Sequence, residues 1–344
     1  MAIDPIRLAR QLVDIPSPTE NERAVGEFLE PLLEHLGFSC ERHYVTDERF
    51  NLLARTASRP RVILCTHLDT VPPFIASSED ATHLYGRGAC DTKGLMAAMI
   101  RAAEELLRAG VDAFGMLLVV GEETDSIGAK RANEHFAELG SDFVIVGEPT
   151  ESKFVRASKG ALTATVGFSG VAAHSAYPER GDSAIVKLAD AIRAISAFDW
   201  GASPVLGRTT ANVGVVRGGL KANIVPPSAE LEMIFRIVEE PETVLRMLEG
   251  LVGPLGGTVA RWYGNAPVPM VVPRGVESTV VAFNTDAPHL RKIGRPLLFG
   301  PGSILDAHTE GERIAKADIV AAVDTYRGLV VDLIEGRVTE YEQA

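Results

Sequence analysis

The sequence predicts an α/β protein interrupted by an inserted α+β block. Short apolar runs alternate with amphipathic helical segments up to about residue 160, and α/β character resumes after residue 266. Such alternation implies a sheet covered by helices on both faces. Between these parts the order of patterns becomes β-α-β-β-α-β, the ferredoxin-like split arrangement. Finally, histidines and acids fall at the ends of the strand-like runs of the outer parts and mostly not within the insert. The simple division is a discontinuous catalytic domain, 1–160 and 266–344, with an inserted domain at 161–265.

Taken in order, Thr19 and Glu22 form a T-x-x-E pattern, which predicts a capping box. The helix behind it carries Val25, Phe28, Leu29, Leu32, Leu33 and Leu36 on one face and stops at Gly37. Residues 61–66 read as a strand, 94–107 as a helix, 115–120 as a buried strand, 129–139 as a helix and 143–146 as a strand. In the insert, strands are expected at 161–168, 211–216, 229–238 and 258–263, with helices at 182–195 and 241–251. A proline-rich stretch, 266–273, leads back to the first domain. The strands 161–168 and 211–216 lack proline, a common device for blocking an exposed sheet edge. If either lies at an edge it is available to pair across a two-fold axis, so a homodimer is expected.

Bulk properties narrow the function. The chain has 344 residues, is 46% hydrophobic and carries a formal net charge of -12. That charge argues against nucleic acid or an anionic membrane as partner. Cys40, Cys65 and Cys90 are an odd count without C-x-x-C spacing, which fits a reducing compartment. No signal peptide and no membrane-spanning run is visible, so a cytoplasmic location is expected.

The chemistry concentrates in His67, Asp91, Glu122, Glu123, Glu148 and His308. Carboxylates that end apolar strands are costly to bury unless they meet a cation. Oxygen and imidazole donors without thiolate suit Zn²⁺, with Co²⁺ or Mn²⁺ as alternatives. Asp69 is placed to orient His67 through its second ring nitrogen. Glu122 and Glu123 are adjacent, so their side chains diverge; one can ligate while the other serves as general base. The glycine-rich loop 86–94 lacks the spacing of a phosphate-binding loop, and Asp91 within it would repel phosphate.

Together these motifs resemble the M20 metallopeptidase family: H-x-D at 67–69, G-R-G-x-x-D at 86–91, G-E-E at 121–123, G-E-P at 147–149 and A-H at 307–308. The resemblance covers nearly the whole chain. Residues 147–150, 155–160 and 300–303 look closest to acetylornithine and N-acetyl-lysine deacetylases. It implies a metallo-exopeptidase-like catalytic domain whose insert is a lid and dimerisation domain. It also implies two divalent ions, one held by His67, Asp91 and Glu148 and the other by Asp91, Glu123 and His308, with Asp91 bridging. Glu122 would be the base and Asp69 the partner of His67. His174 would reach the reaction, in cis or from the partner subunit, and Asn223 and Arg236 would hold the substrate carboxylate. The implied activity is removal of an acyl group from an N-acyl amino acid in amino-acid biosynthesis. A carboxypeptidase, a dipeptidase or succinyl-diaminopimelate desuccinylase is the alternative, and a non-catalytic metal-binding protein a remote one. The chain departs from many relatives at Thr309-Glu310-Gly311-Glu312, where a proline is often found.

Overall fold

A computed structural model describes residues 2–338. The chain forms two compact units. One holds the chain up to Arg156, Met270–Thr279 and the chain from Thr285 onward; the other holds Ala157–Pro269 and Val280–Asn284.

The first unit is built on a six-stranded mixed sheet. Its strands are β1 (Ser39–Tyr44), β2 (Phe50–Arg55), β3 (Val62–His67), β4 (Phe114–Val119), β5 (Phe143–Val146) and the strand Arg295–Leu298. Their spatial order is β1-β2-β4-β3-β5 followed by Arg295–Leu298. The last four in that order run parallel to one another, while β1 and β2 are antiparallel additions at one edge. β3, β4 and β5 are buried at every position, which is why they read as continuous apolar runs. Helices α1 (Pro5–Val13), α2 (Arg23–Leu36), α3 (Gly94–Arg108) and α4 (Ile127–His135) and the C-terminal helix Lys316–Ile334 pack around this sheet. α3 is buried nearly throughout and lies against α1 and the C-terminal helix. Each fully buried Leu, Ile or Met in that core is worth about 1.5–3 kcal/mol.

The expected capping box does not form. α2 begins at Arg23, and Glu22 makes no side-chain capping bond. Its buried carboxylate instead pairs with Arg49 at 2.6 Å, and Thr19 Oγ1 donates to Asp69 Oδ2 at 2.9 Å. Tertiary partners have taken both groups from the local motif. The helix expected over 129–139 also divides, into α4 and a short 3₁₀ turn, Ala137–Leu139.

The second unit contains β6 (Gly160–Ser169), α5 (Ala184–Ala197), β7 (Thr210–Gly218), β8 (Ser228–Ile237), α6 (Pro241–Val252) and β9 (Gly257–Asn265). The order across its antiparallel sheet is β7-β8-β6-β9, the ferredoxin-like arrangement. Leu162, Ala164, Val166 and Phe168 alternate inward with Leu231, Met233, Phe235 and Ile237, and α5 and α6 cover that face. β6 is interior, so it offers no free edge. β7 is an edge strand, with Val215 and Val216 exposed. Among the described residues no helix is long and apolar enough to cross a membrane.

Candidate metal centre

Four neighbouring parallel strands deliver the acids and histidines. β3 ends on His67, β4 leads to Glu122 and Glu123, β5 leads to Glu148, and Arg295–Leu298 leads into the loop that ends at His308. Open α/β sheets place their ligand sites beyond these carboxyl ends. The topology therefore converts strand-end residues far apart in sequence into one cluster.

The loops are fixed by close backbone approach. A Cβ on Gly300 would lie 2.3 Å from the Glu148 carbonyl oxygen. Thr150 N donates to Gly300 O at 3.1 Å, and Gly300 N donates to Thr150 Oγ1 at 3.1 Å, so the Glu148 and His308 loops are laced together. Gly121 has φ +78°, which turns the chain sharply between β4 and the glutamates. His308 itself holds φ +62°, a sparsely populated conformation for a residue with a Cβ.

Asp91 sits between the two histidines. His67 Nε2 is 3.0 Å from Asp91 Oδ1, and His308 Nε2 is 3.3 Å from Asp91 Oδ2. His308 Nε2 is also 2.9 Å from Glu123 Oε2. Donor atoms of His67, Asp91 and Glu123 all lie within 4.8 Å of one another. This is a hard-oxygen and imidazole donor set around a carboxylate with one oxygen turned to each side, and it fits a pair of divalent cations.

Electrostatics point the same way. Burial pushes both Glu122 and Glu148 well above the usual carboxylate range, with Glu148 adding to the shift at Glu122 and Asp91 to that at Glu148. Crowded buried carboxylates of this kind call for a positive charge. Burial works against ionised Asp91, but hydrogen bonds to His308 and His67 outweigh it and hold its carboxyl below the ordinary range. Hydrogen bonds to Asp91 and Glu123 push His308 up to about 10.

Asp69 is used differently from the simple expectation. The nearest partner of His67 Nδ1 is the Asp69 backbone carbonyl, at 2.9 Å, with the carboxylate 3.5 Å away. The carboxylate chiefly accepts backbone amides: Gly121 and Glu122 on Oδ1 at 3.0 and 3.1 Å, and Glu123 on Oδ2 at 3.2 Å. Asp69 thus shapes the turn that presents both glutamates.

His174, Asn223 and Arg236 lie in the second unit. His174 and Asn223 are neighbours there: His174 bridges Ile224, and Ser175 N donates to Asn223 O at 3.1 Å. His174 Nδ1 accepts from Ala176 N at 3.1 Å, which leaves Nε2 to carry the proton. Arg236 is on β8, in register with Thr210 and Ala161.

Several buried groups near the cluster gave no usable sequence signal. Lys93 is buried with Nζ donating to Ile15 O at 2.7 Å, and burial pushes it down to about 7. Asp286 is buried, and burial pushes it up to about 7; its Oδ1 has no partner among the described residues. Arg87 and Glu312 form a buried ion pair beneath the Asp91 turn.

The chain is similar in sequence to proteins named as peptidases and similar in fold to solved structures. The family model described as a peptidase dimerisation domain matches residues 156–257. A protein of Aspergillus clavatus named a probable carboxypeptidase is 33% identical over 93% of this chain and 86% of its own length. A peptidase M20 domain-containing protein of Schizosaccharomyces pombe is 35% identical over 95% of this chain and 84% of its own. Among solved structures, an M20 family metallo-carboxypeptidase from Sulfolobus solfataricus superposes with a TM-score of 0.78 at 17% identity, covering 95% of this chain and 98% of that one. None of these three is named a deacetylase.

Proposed function

Because the chain belongs to the M20 family of metallopeptidases, we propose that it is a metal-dependent hydrolase of the carboxypeptidase type, cleaving the amide bond next to a free α-carboxylate. The observation that carries the chemistry is the Asp91 carboxylate, which turns one oxygen to His67 and the other to His308. Supporting the substrate class is the name of the Aspergillus clavatus relative, a probable carboxypeptidase 33% identical to this chain.

In this reading His67, Asp91 and Glu148 hold one divalent ion, and Asp91, Glu123 and His308 the other. When bound, such ions supply an acidified water and polarise the scissile carbonyl. Glu122 takes the proton from the attacking water at a carboxylate oxygen and passes it to the departing amine. His174 donates from Nε2 to the developing oxyanion. Arg236 and Asn223 bind the substrate carboxylate, for which a planar guanidinium offers two parallel hydrogen bonds. The second unit pairs two chains through the β7 edge, in keeping with the family model it matches. Glu122 also speaks against a purely binding role, which needs no base beside the ions.

A second reading keeps the chemistry and changes the substrate to an N-acyl amino acid. It is favoured by residues 147–150, 155–160 and 300–303, which resemble acetylornithine and N-acetyl-lysine deacetylases. A turnover screen of zinc-loaded protein separates the two. It compares short peptides, their C-terminal amides, N-acetyl-ornithine, N-acetyl-lysine and N-succinyl-diaminopimelate. Release of the last residue from free-acid peptides alone is the expected result. Preference for an acylated amino acid would establish the second reading, and turnover of none of them would remove both.

A further inference from the structure

The turn that carries Asp91 is organised around one buried side chain. Glu312 Oε1 accepts three amides of one turn: Gly88 N at 2.9 Å, Cys90 N at 3.2 Å and Asp91 N at 3.1 Å. Its Oε2 accepts from Arg87 Nη1 at 2.6 Å. The same Nη1 donates to Thr309 O at 3.2 Å, one residue beyond His308, and Arg87 Nε donates to Pro73 O at 3.3 Å. Gly86 N closes the frame on the Glu312 carbonyl at 3.0 Å. Both side chains are almost wholly buried, with 3% and 1% exposure. Two loops that approach the centre from different strands are therefore tied at one ion pair.

We propose that Glu312 is a positioning residue that fixes the spacing between Asp91 and His308, and so governs the site shared by Asp91, Glu123 and His308. This rests on the two-ion reading given above. Three amides converging on one oxygen fix the Asp91 backbone, because moving it would strand buried N–H groups. Arg87 carries that restraint to Thr309, and hence to the left-handed backbone of His308. Two properties of Glu312 are separable: its length, which lets one oxygen reach the amides while the other reaches Arg87, and its charge. Gln keeps the length and an acceptor oxygen. Asp keeps the charge but is one methylene too short to span both partners. A positioning role demands length before charge; a merely charge-balancing role demands the reverse.

The test is stepwise zinc titration of the chelator-stripped full chain by calorimetry, for wild type, Glu312→Gln and Glu312→Asp. Amide hydrogen exchange at Gly88, Cys90 and Asp91 is measured on the same metal-free samples. Glu312→Asp should bind one zinc as wild type does and the other about 10–100-fold more weakly, the range typical of groups that orient ligands. Its three amides should exchange faster. Glu312→Gln should lie between the two on both measures. If Glu312→Asp does not fold, Arg87→Lys takes its place: one ammonium cannot serve Glu312, Thr309 and Pro73 together, and the same selective loss is expected. Wild-type affinities in the variants, or Glu312→Asp outperforming Glu312→Gln, would overturn the proposal alone. A wild type that takes up no second zinc would instead overturn the two-ion reading beneath it.

Discussion

Replacing Asp69 by Asn tests whether the Glu122–Glu123 turn is shaped by one carboxylate. The wild-type group accepts from three backbone amides and from Thr19 Oγ1. In Asn the amide oxygen can keep Gly121 and Glu122, while the amino group then faces the N–H of Glu123. Thr19 can rotate its hydroxyl to accept, but the Glu123 amide cannot. One stranded donor costs about 1–3 kcal/mol, and loss of charge assistance removes roughly 1 kcal/mol more from each retained bond. Relief of burying a charge opposes these terms, which together come to about 3–5 kcal/mol, and brings the expected loss to about 2 kcal/mol. For a domain of this size that corresponds to a fall in Tm of roughly 4–8 °C. Thermal unfolding of the chelator-treated protein reads it directly. Zinc affinity should also drop, by about 10–100-fold, because both glutamates are displaced. A Tm within about 1 °C of wild type, with zinc affinity unchanged, would refute the reasoning.

Other outcomes follow from the same geometry. Glu122→Gln should keep its metal and lose about 10²–10⁴-fold in turnover, whereas Glu123→Gln should lose one metal; equal metal content in the two would invalidate the division of roles. His289 is pushed down to about 4 by burial and then by Lys130, so the unfolded chain, with an ordinary histidine near 6.5, binds that proton first. Its contribution to stability is therefore complete above pH 6.5 and lost as pH falls towards 4. Urea unfolding across that window should show a shallower loss for His289→Gln than for wild type, and equal slopes would contradict this. Val216→Asp, at an exposed position on the β7 edge, should give monomers by light scattering with the fold intact. A persisting dimer would place the interface elsewhere.

The fold was legible where one signal sufficed. β3, β4 and β5 are buried on both faces, so they stand out as apolar runs, and the site residues follow them directly. The second unit announced itself by alternation, because its sheet is covered on one face only. Local patterns failed where distant partners compete. Thr19 and Glu22 have the spacing of a cap, yet Asp69 and Arg49 claim them. Residues 161–168 carry no mark to show that they lie inside their sheet. Lys93, Asp286 and the Arg87–Glu312 pair were illegible for a related reason: their significance is burial beside the centre, which is a property of the assembled chain. Glu312 stood out in the sequence only as part of a departure from the family pattern.

The most direct test of the central claim is a zinc titration of the stripped protein in which bound metal and peptide hydrolysis are followed together. The account predicts no turnover without metal, uptake that saturates at about two ions per chain, and activity that rises with that uptake in wild type but stays near baseline in Glu122→Gln. Hydrolysis that persists in the stripped protein, or a chain that saturates with substrate turnover while holding no stoichiometric metal, would contradict it.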